Sequence, residues 1–399
     1  MLELSTMEEK FINRAMQPTL LKSLKVFPVV TVCGPRQSGK TTMCRKEFPH
    51  LPYMNLEDLS TRRFAIEDPK GFLFQFPKGA ILDEVQLSPD LFSQVQVIVD
   101  QDRFQGNRER KFILTGSSNF SFLPQIRQSL AGRTSFLTLL PLSTVELLNA
   151  HYDFSTEEEI IRGGYPNVWV NAEDMTRFIL DNYINAYVER DVRKLLNIED
   201  YNKFSILLKL CASRIGYELN KSSLAIEVGV SQPTVERWLS VLSNSYIIFL
   251  LPPWHANISK RLVKSPKLYF YDTGIACTLL GIDSKEKLMG HPLRGSLFEN
   301  MVINNVVKNG FNKGFKKDIF FYRDKSGHEV DLLFETSSGL SAYEIKAGMT
   351  YNSDYTKNLV YLKAILGEKL SSSGVIYNGD VEKPSGGVGI YNYRKFIGE

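Results

Sequence analysis

Cysteine and histidine are scarce in this chain of 399 residues, which has four of the first and five of the second. The cysteines are scattered and form no CxxC pair, which indicates reduced thiols rather than a disulfide framework or a zinc site. The histidines are equally dispersed, so no imidazole cluster for a metal is visible. These absences point away from disulfide-rich secreted proteins and from zinc proteins.

Long hydrophobic runs are also missing. The most apolar stretch, residues 246–254, contains Pro252 and Pro253 and is too short to span a bilayer. The first residues alternate apolar with acidic side chains, unlike a secretory signal. We therefore expect a cytoplasmic protein with no membrane partner. The length of 399 residues predicts about two to three domains. The formal net charge of +4 permits contact with nucleic acid but does not argue for it, because dedicated binders carry a sharper basic patch.

A glycine-flanked loop follows the apolar run at residues 26–33 and matches the phosphate-binding pattern G-x-x-x-x-G-K-[ST]. Gly34 and Gly39 can adopt backbone angles that let the amides wrap a phosphate, and Lys40 and Thr41 supply an ammonium and a hydroxyl ligand for Mg2+. The alternative is a chance match in a glycine-containing turn. The pattern predicts that the chain binds a nucleoside triphosphate, through Gly34, Pro35, Arg36, Gln37, Ser38, Gly39, Lys40, Thr41 and Thr42.

Two carboxylates end the apolar strand candidate at residues 79–85. Ligands of open α/β sheets bind at the carboxyl ends of the strands, so Asp83 is predicted to hold Mg2+ and Glu84 to orient or deprotonate the attacking water. Without a phosphate loop, an ordinary turn would explain this pair as well.

Two further residues are candidates for catalysis. Ser118 lies in a polar tip after the strand candidate at residues 111–116, where it could sense the γ-phosphate; ordinary turn chemistry is the alternative. Arg133 precedes the fifth strand candidate and could stabilise charge on the transferred phosphoryl group, in its own subunit or across a subunit contact. A surface ion pair is the alternative for Arg133.

The pattern of strands and helices changes along the chain. Strands alternating with helices in the first third predict a parallel α/β sheet of the P-loop class. A helical stretch follows, then a helix, a glycine-containing turn, a second helix and a strand, which is the layout of a winged helix-turn-helix. The last third mixes strands and helices again. The predicted domains are an ATPase domain (1–145), a helical lid or connector (146–215), a winged helix (216–262) and a second α/β domain (263–399).

The second α/β domain carries a possible metal-dependent site. Asp331 lies in one strand candidate, and Glu344 and Lys346 share a face of the next. Glu299, in a helix, could add a carboxylate. Paired carboxylates hold divalent metals and an adjacent lysine orients water or a phosphate oxygen, but a half-exposed hairpin explains the pattern equally well.

A set of short motifs runs along nearly the whole chain: GPRQSGKTT (34–42), ILDEVQ (81–86), LTGSS (114–118), SLAGR (129–133), GGYP (163–166), YVERDV (187–192), HEVD (328–331) and YEIKAG (343–348). In this combination the chain resembles a prokaryotic AAA+-like P-loop ATPase family with a C-terminal domain of uncharacterised function. The resemblance implies a core of the additional-strand type, a central winged helix and a C-terminal domain that looks like the PD-(D/E)XK nuclease fold. It places Lys40, Thr41, Asp83 and Glu84 in the ATPase site, and Asp331, Glu344, Lys346 and Glu299 in a nuclease-like site.

The predicted function is Mg2+-dependent binding and hydrolysis of ATP, coupled to the winged-helix and nuclease-like domains. The alternatives are an ATP-regulated DNA endonuclease and a nucleotide-dependent DNA-binding regulator. ATP and Mg2+ are the expected cofactors. DNA, a protein partner and further copies of the chain are candidate partners, and residues 233–242 form the candidate recognition helix, which packing alone could also explain.

Overall fold

The computed structural model describes residues 11–117, 129–189, 201–255, 265–382, 384 and 387–398. The chain divides into two compact units, the first made of residues 1–141, 244–246 and 310–315 and the second of residues 142–243, 247–309 and 316–399. Within the described part of the chain, every helix is too short or too polar to span a lipid bilayer. The predicted boundaries of the four domains stay a prediction.

The first unit is built on a sheet of five parallel strands in the order β2-β3-β4-β1-β5. Strand β4 lies between β1 and β3, which is the inserted strand of the additional-strand type. This arrangement confirms the predicted α/β fold of the P-loop class. The strands are β1 (Val29–Gly34), β2 (Tyr53–Asn55), β3 (Gly79–Asp83), β4 (Lys111–Ser117) and β5 (Thr134–Thr138).

Helices cover both faces of this sheet, so the alternate side chains of β1 enter two different cores. Val29 and Cys33 pack into one apolar cluster, and Val30 and Val32 pack into the other. A strand buried on both faces reads as a continuous apolar run, as the sequence of β1 does. The described helices of this unit are α1 (Gln17–Val26), α2 (Lys40–Glu47), α3 (Leu59–Glu67), α4 (Pro69–Phe74) and α5 (Asp90–Phe104).

The second unit begins with short helices, several of which have clear start signals in the sequence. Ser143 with Glu146, and Ser155 with Glu158, form capping boxes in which each side chain bonds the other residue's backbone amide. The helices are α6 (Thr144–Asn149), α7 (Thr156–Arg162), α8 (Pro166–Val170), α9 (Thr176–Tyr183), a π-helical turn (Ile184–Glu189) and α10 (Tyr201–Ser213).

A helix-turn-helix follows in the second unit. Helix α11 (Lys221–Val228) ends at Gly229, whose φ of 72° is the left-handed geometry of a helix C-cap. Helix α12 (Gln232–Asn244) comes next, and then strands β6 (Ile248–Leu251) and β7 (Lys267–Phe270) pair antiparallel. This is the order of elements that the sequence predicted, although its assignment as a winged helix stays a prediction.

The remainder of the second unit contains a mixed sheet in the order β12-β11-β10-β9-β8. Strands β8, β9 and β10 pair antiparallel, whereas β10, β11 and β12 pair parallel. This second α/β sheet confirms the predicted fold class of the last third. Its strands are β8 (Ile319–Arg323), β9 (Glu329–Thr336), β10 (Gly339–Lys346), β11 (Leu370–Tyr377) and β12 (Gly389–Asn392). The helices are α13 (Thr273–Leu280), α14 (Lys285–Met289), α15 (Arg294–Asn312), α16 (Lys357–Leu366) and α17 (Tyr393–Gly398).

Candidate functional site

The predicted phosphate loop joins β1 to the first turn of α2, and its backbone requires the glycines. Gly34 has a φ of 145°, and a Cβ there would lie 2.2 Å from the carbonyl oxygen of Leu139. Gly39 has a φ of 90° and directly precedes α2, which begins at Lys40. The amides of a helix N-terminus and of a left-handed turn attract anions. The loop therefore has the geometry of a phosphate cradle.

Lys40 lies inside this loop rather than on the surface. Its side chain is buried, and Nζ donates hydrogen bonds to the carbonyl oxygens of Pro35 (2.8 Å) and Gly34 (3.2 Å). Burial lowers the pKa of Lys40, and the nearby carboxylates of Glu84 and Asp83 oppose that shift. A buried ammonium bonded to carbonyl oxygens of the loop is well placed to bind an anion.

Asp83, at the end of β3, is bound by three hydroxyl groups. Thr41 Oγ1 donates to its Oδ2 at 3.0 Å, Tyr53 OH donates to the same oxygen at 2.7 Å, and Thr115 donates to Oδ1. The structure thus brings together Thr41 and Asp83, the two predicted ligands of Mg2+. Burial and the bond to Asp83 raise the pKa of Tyr53. Sequence reasoning missed Tyr53 and Thr115, although both lie on strands that neighbour Asp83.

Glu84 follows Asp83 in a conformation that is rare for a residue with a side chain. Its φ is 52°, in the left-handed region, and such strained residues concentrate at functional sites. Its Oε2 accepts hydrogen bonds from Ser117 Oγ (3.0 Å), from the backbone N–H of Ser117 (3.5 Å) and from the side-chain amide of Gln86. These contacts hold the carboxylate at the end of β4. Ser118, the predicted sensor, lies outside the described residues.

Arg133 is engaged by a neighbour on α5. Its Nε and one terminal nitrogen donate to the two carboxylate oxygens of Asp100, each at 2.7 Å. This is the surface ion pair that the sequence left as the alternative for Arg133. A catalytic role for Arg133 stays a prediction.

The remaining loop residues complete the cradle. Ser38 is fully buried and its Oγ has no hydrogen-bond partner among the described residues, so a polar atom inside the loop is left for a ligand to satisfy. Arg36 lies 3.9 Å from the carboxylate of Glu57, while Thr42 is exposed. A triphosphate with Mg2+ fits this set of features. They are the unbonded hydroxyl of Ser38, the backbone that requires glycine at position 34, the buried ammonium of Lys40 and the contact between Thr41 and Asp83.

A second cluster of charged residues lies in the sheet of the second unit. Lys346 Nζ donates to Asp331 (3.2 Å) and to Glu344, and the backbone N–H of Ile345 donates to Asp331 at 2.8 Å. The side-chain amide of Asn358 donates to Glu344 at 3.1 Å. Three of the four residues predicted for the nuclease-like site are thus in direct contact.

Glu299, the fourth, is held by a lysine that sequence reasoning missed. Lys267, almost fully buried on β7, lies 3.1 Å from Glu299 and 2.5 Å from Glu329, and Tyr269 OH also donates to Glu299. Lys267 has no motif around it, and it lies on β7, which pairs with β6.

Burial is the largest influence on the pKa values of the three carboxyl groups in this cluster. Burial and then the charge of Asp331 raise the pKa of Glu299 to about 7 and that of Glu344 to about 8. Burial acts in the same direction on Asp331, yet the ammonium groups of Lys346 and Lys267 outweigh it and lower the pKa of Asp331. Among the described residues, no group of three or more His, Cys, Asp or Glu side chains is already arranged around a metal position. A metal ion would need the two lysines to release their carboxylates.

The GGYP motif has a structural explanation. Asp272, which is buried, accepts hydrogen bonds from the backbone N–H groups of Gly164 (2.7 Å) and Ile275 (3.1 Å). A Cβ on Gly163 would lie 2.2 Å from a carboxylate oxygen of Asp272. Gly163 therefore allows the chain to approach a buried carboxylate, whereas a Cβ on Gly164 would lie 2.2 Å from the carbonyl oxygen of Leu142. This part of the motif serves the fold.

Comparison with known proteins covers most of the chain. Residues 26–148 match the model of the AAA domain, while residues 154–286 and 294–396 match two domains of unknown function, DUF8612 and DUF4143. Uncharacterized proteins of Mycobacterium tuberculosis and Mycobacterium bovis are each 28% identical over 370 residues, which cover 92% of this chain and 80% of the relative.

Solved structures with some similarity include a Walker-type ATPase of Pyrococcus abyssi and RuvB of Thermotoga maritima. The first is 15% identical, with a TM-score of 0.46, and covers 68% of this chain and 97% of that one. The second is 16% identical, with a TM-score of 0.31, and covers 59% and 89%.

The first unit is therefore a P-loop ATPase domain of the AAA-like class, because the parallel sheet, the loop geometry and the match over residues 26–148 agree. This confirms the predicted enzyme class. The nuclease-like interpretation of the last third stays a prediction, since the matching domain has no known function.

Proposed function

We propose that the chain hydrolyses ATP with Mg2+ at the loop between β1 and α2, and that its nucleotide state controls the second unit. The observation that carries this proposal is the hydrogen bond between Thr41 on the loop and Asp83 at the end of β3. It brings the two predicted ligands of Mg2+ together beside the buried Lys40.

Each residue has a separate task in this proposal. Lys40 and the loop amides would bind the β- and γ-phosphates, while Thr41 and Asp83 would hold Mg2+, which would neutralise the negative charge of the phosphates. Glu84 takes a proton from the attacking water as a new P–O bond forms to the γ-phosphorus. The bond between that phosphorus and its bridging oxygen to the β-phosphate breaks, which yields ADP and phosphate.

Substitution of Lys40 tests the site. In K40A we expect ATP binding, measured by calorimetry, to be lost, because the buried ammonium inside the loop is removed. Lys46 offers a matched control, since it lies on the same helix, α2, and its Nζ contacts Asn13 rather than the loop. K46A should bind ATP normally. Full affinity in K40A would refute the site assignment.

Ser118 and Arg133 remain proposed contributors to the same reaction. The role of Arg133 can be tested because substitution of its ion-pair partner, Asp100, removes the pair while it keeps the arginine. A role in stabilising transition-state charge predicts that R133A lowers kcat at least tenfold whereas D100N does not. Equal, small effects of the two substitutions would assign Arg133 to the ion pair alone.

The helix-turn-helix supports DNA as a partner. Glu236, the acidic residue on α12 that would repel phosphates, forms an ion pair with Lys221 at 3.1 Å, which leaves the exposed Arg237 to act on a phosphate. We expect DNA binding that weakens with salt, and a smaller salt dependence in R237A, by a slope of about 0.9 for one phosphate contact. Binding that is identical in R237A and in the unmodified chain would remove α12 from the interface.

Sedimentation with and without ATP tests the proposed self-association.

A second candidate function, cleavage of DNA, is favoured by the contacts of Lys346 with Asp331 and Glu344. If that site is active, plasmid nicking should require Mg2+ or Mn2+ and should disappear in D331A. Glu335, exposed on the same strand, provides a control, and E335A should retain activity. Nicking that persists unchanged in D331A would exclude this site as its source.

A further inference from the structure

A buried arginine that precedes α1 donates a hydrogen bond to a backbone carbonyl of the phosphate loop. Arg14 is 5% exposed, and its guanidinium donates to the carbonyl oxygens of Ser38 and Leu140, each at 2.6 Å. Both bonds are short and charge-assisted, the kind that is stronger than a bond between neutral groups. No motif in the sequence marks this residue, and the distances in sequence, 24 and 126 residues, are long.

The bond to Ser38 has a consequence for the next residue. The carbonyl of Ser38 and the N–H of Gly39 belong to one peptide plane, and in a trans peptide they point in opposite directions. The guanidinium therefore fixes the direction of the Gly39 N–H as well as that of the Ser38 carbonyl. Gly39 has no side chain to restrict its backbone rotation, and its φ of 90° lies in the region that favours glycine.

The bond to Leu140 ties the same guanidinium to the other side of the loop. Leu140 follows Leu139, whose carbonyl oxygen lies where a side chain of Gly34 would be. Arg14 thus links Ser38, near the end of the loop, to the backbone segment after β5. Gly34, at the start of the loop, packs against the same segment.

We propose that Arg14 is a positioning residue of the ATPase, which holds the Gly39 N–H toward the phosphates before the nucleotide arrives. The proposal rests on the function proposed above, in which the triphosphate binds at this loop. Pre-organised amides bind an anion without the entropy cost of ordering the loop. These bonds of Arg14 go to backbone carbonyls, of Ser38 in the loop and of Leu140 after β5, so its effect falls on nucleotide binding rather than on the chemical step.

The test compares R14A and R14K with Q17A. Gln17 lies in the same N-terminal segment and its amide donates to Glu47 of α2 at 2.6 Å, so Q17A loosens the segment without touching the loop. The quantities to measure are the Kd of ADP and ATP by calorimetry, and kcat and KM for ATP hydrolysis. The thermal unfolding midpoint reports on stability, and the NMR shift of the Gly39 amide reports on the direction of its N–H. R14K keeps the charge but has a single nitrogen, and it protects the test if R14A fails to fold.

We expect R14A to raise Kd and KM roughly tenfold or more, with kcat changed less than about threefold. R14K should fall between R14A and the unmodified chain, and Q17A should leave Kd unchanged. The Gly39 amide signal should move in R14A and not in Q17A. The proposal is wrong if R14K and R14A bind nucleotide normally, or if Q17A raises Kd as much as they do. Loss of binding in K40A but not in the Arg14 variants would reject this inference and leave the proposed site intact.

Discussion

Replacement of Glu84 by glutamine is the sharpest test of the chemistry, because the structure shows which of its oxygens is committed. Ser117 and Gln86 donate to Oε2, and within the described residues no donor binds Oε1. In E84Q the new carbonyl oxygen can take the place of Oε2 and keep the bond from Ser117. The amide nitrogen then replaces Oε1, which is the oxygen left for the water, and an amide nitrogen cannot take a proton.

The expected loss follows from this geometry. General base catalysis contributes about 10² to 10⁴ in rate, so kcat should fall by that factor, which corresponds to about 2.7 to 5.4 kcal/mol at 1.36 kcal/mol per tenfold. Binding should persist, because the Thr41–Asp83 contact and Lys40 are unchanged. Single-turnover phosphate release measures the chemical step, and calorimetry with ATP measures binding.

A neighbouring carboxylate provides the control for this experiment. Glu57 lies 3.9 Å from Arg36 of the loop and its side chain is 54% exposed. E57Q therefore removes one negative charge near the site without removing a base, and its kcat should stay within about twofold of the unmodified chain. Turnover in E84Q within threefold of normal, with intact binding, would refute the role assigned to Glu84.

Two further substitutions test the backbone geometry. In G34A a Cβ would lie 2.2 Å from the Leu139 carbonyl, so the loop must move; we expect loss of ATP binding in calorimetry, and normal affinity would contradict the close approach. In D272A the buried N–H groups of Gly164 and Ile275 lose their acceptor, which should destabilise the second unit by about 2 to 5 kcal/mol in urea unfolding. A change below about 0.5 kcal/mol would show that other groups satisfy these amides.

Much of the nucleotide site could be predicted because its parts are close together in the sequence. The loop from Gly34 to Thr42 is one continuous segment, and its glycines, lysine and threonine each have a local physical reason. Asp83 and Glu84 could be added because they end an apolar strand, and the ends of parallel strands meet at one edge. The contact of Asp83 with Thr41 in the structure agrees with that expectation.

Other contacts, in the nucleotide site and in the charged cluster of the second unit, could not be predicted, because the partners are distant in the chain. Tyr53 reaches Asp83 across 30 residues, Arg14 reaches Leu140 across 126, and Lys267 reaches Glu299 across 32. A lone tyrosine, arginine or lysine in a sequence has many possible uses, and most are on the surface. Only the pairing of strands and the packing of the N-terminal segment select the partner.

The sequence by itself determined the class of chemistry, because the phosphate loop depends on residue types at fixed short spacings. It also determined the order of strands and helices, because apolar periodicity is local. Tertiary structure alone decided which strand lies beside which, and β4 between β1 and β3 brings Ser117 to Glu84. It likewise decided that Arg133 pairs with Asp100. Such contacts are made between side chains far apart along the chain, and their energy depends on the completed packing rather than on any local pattern.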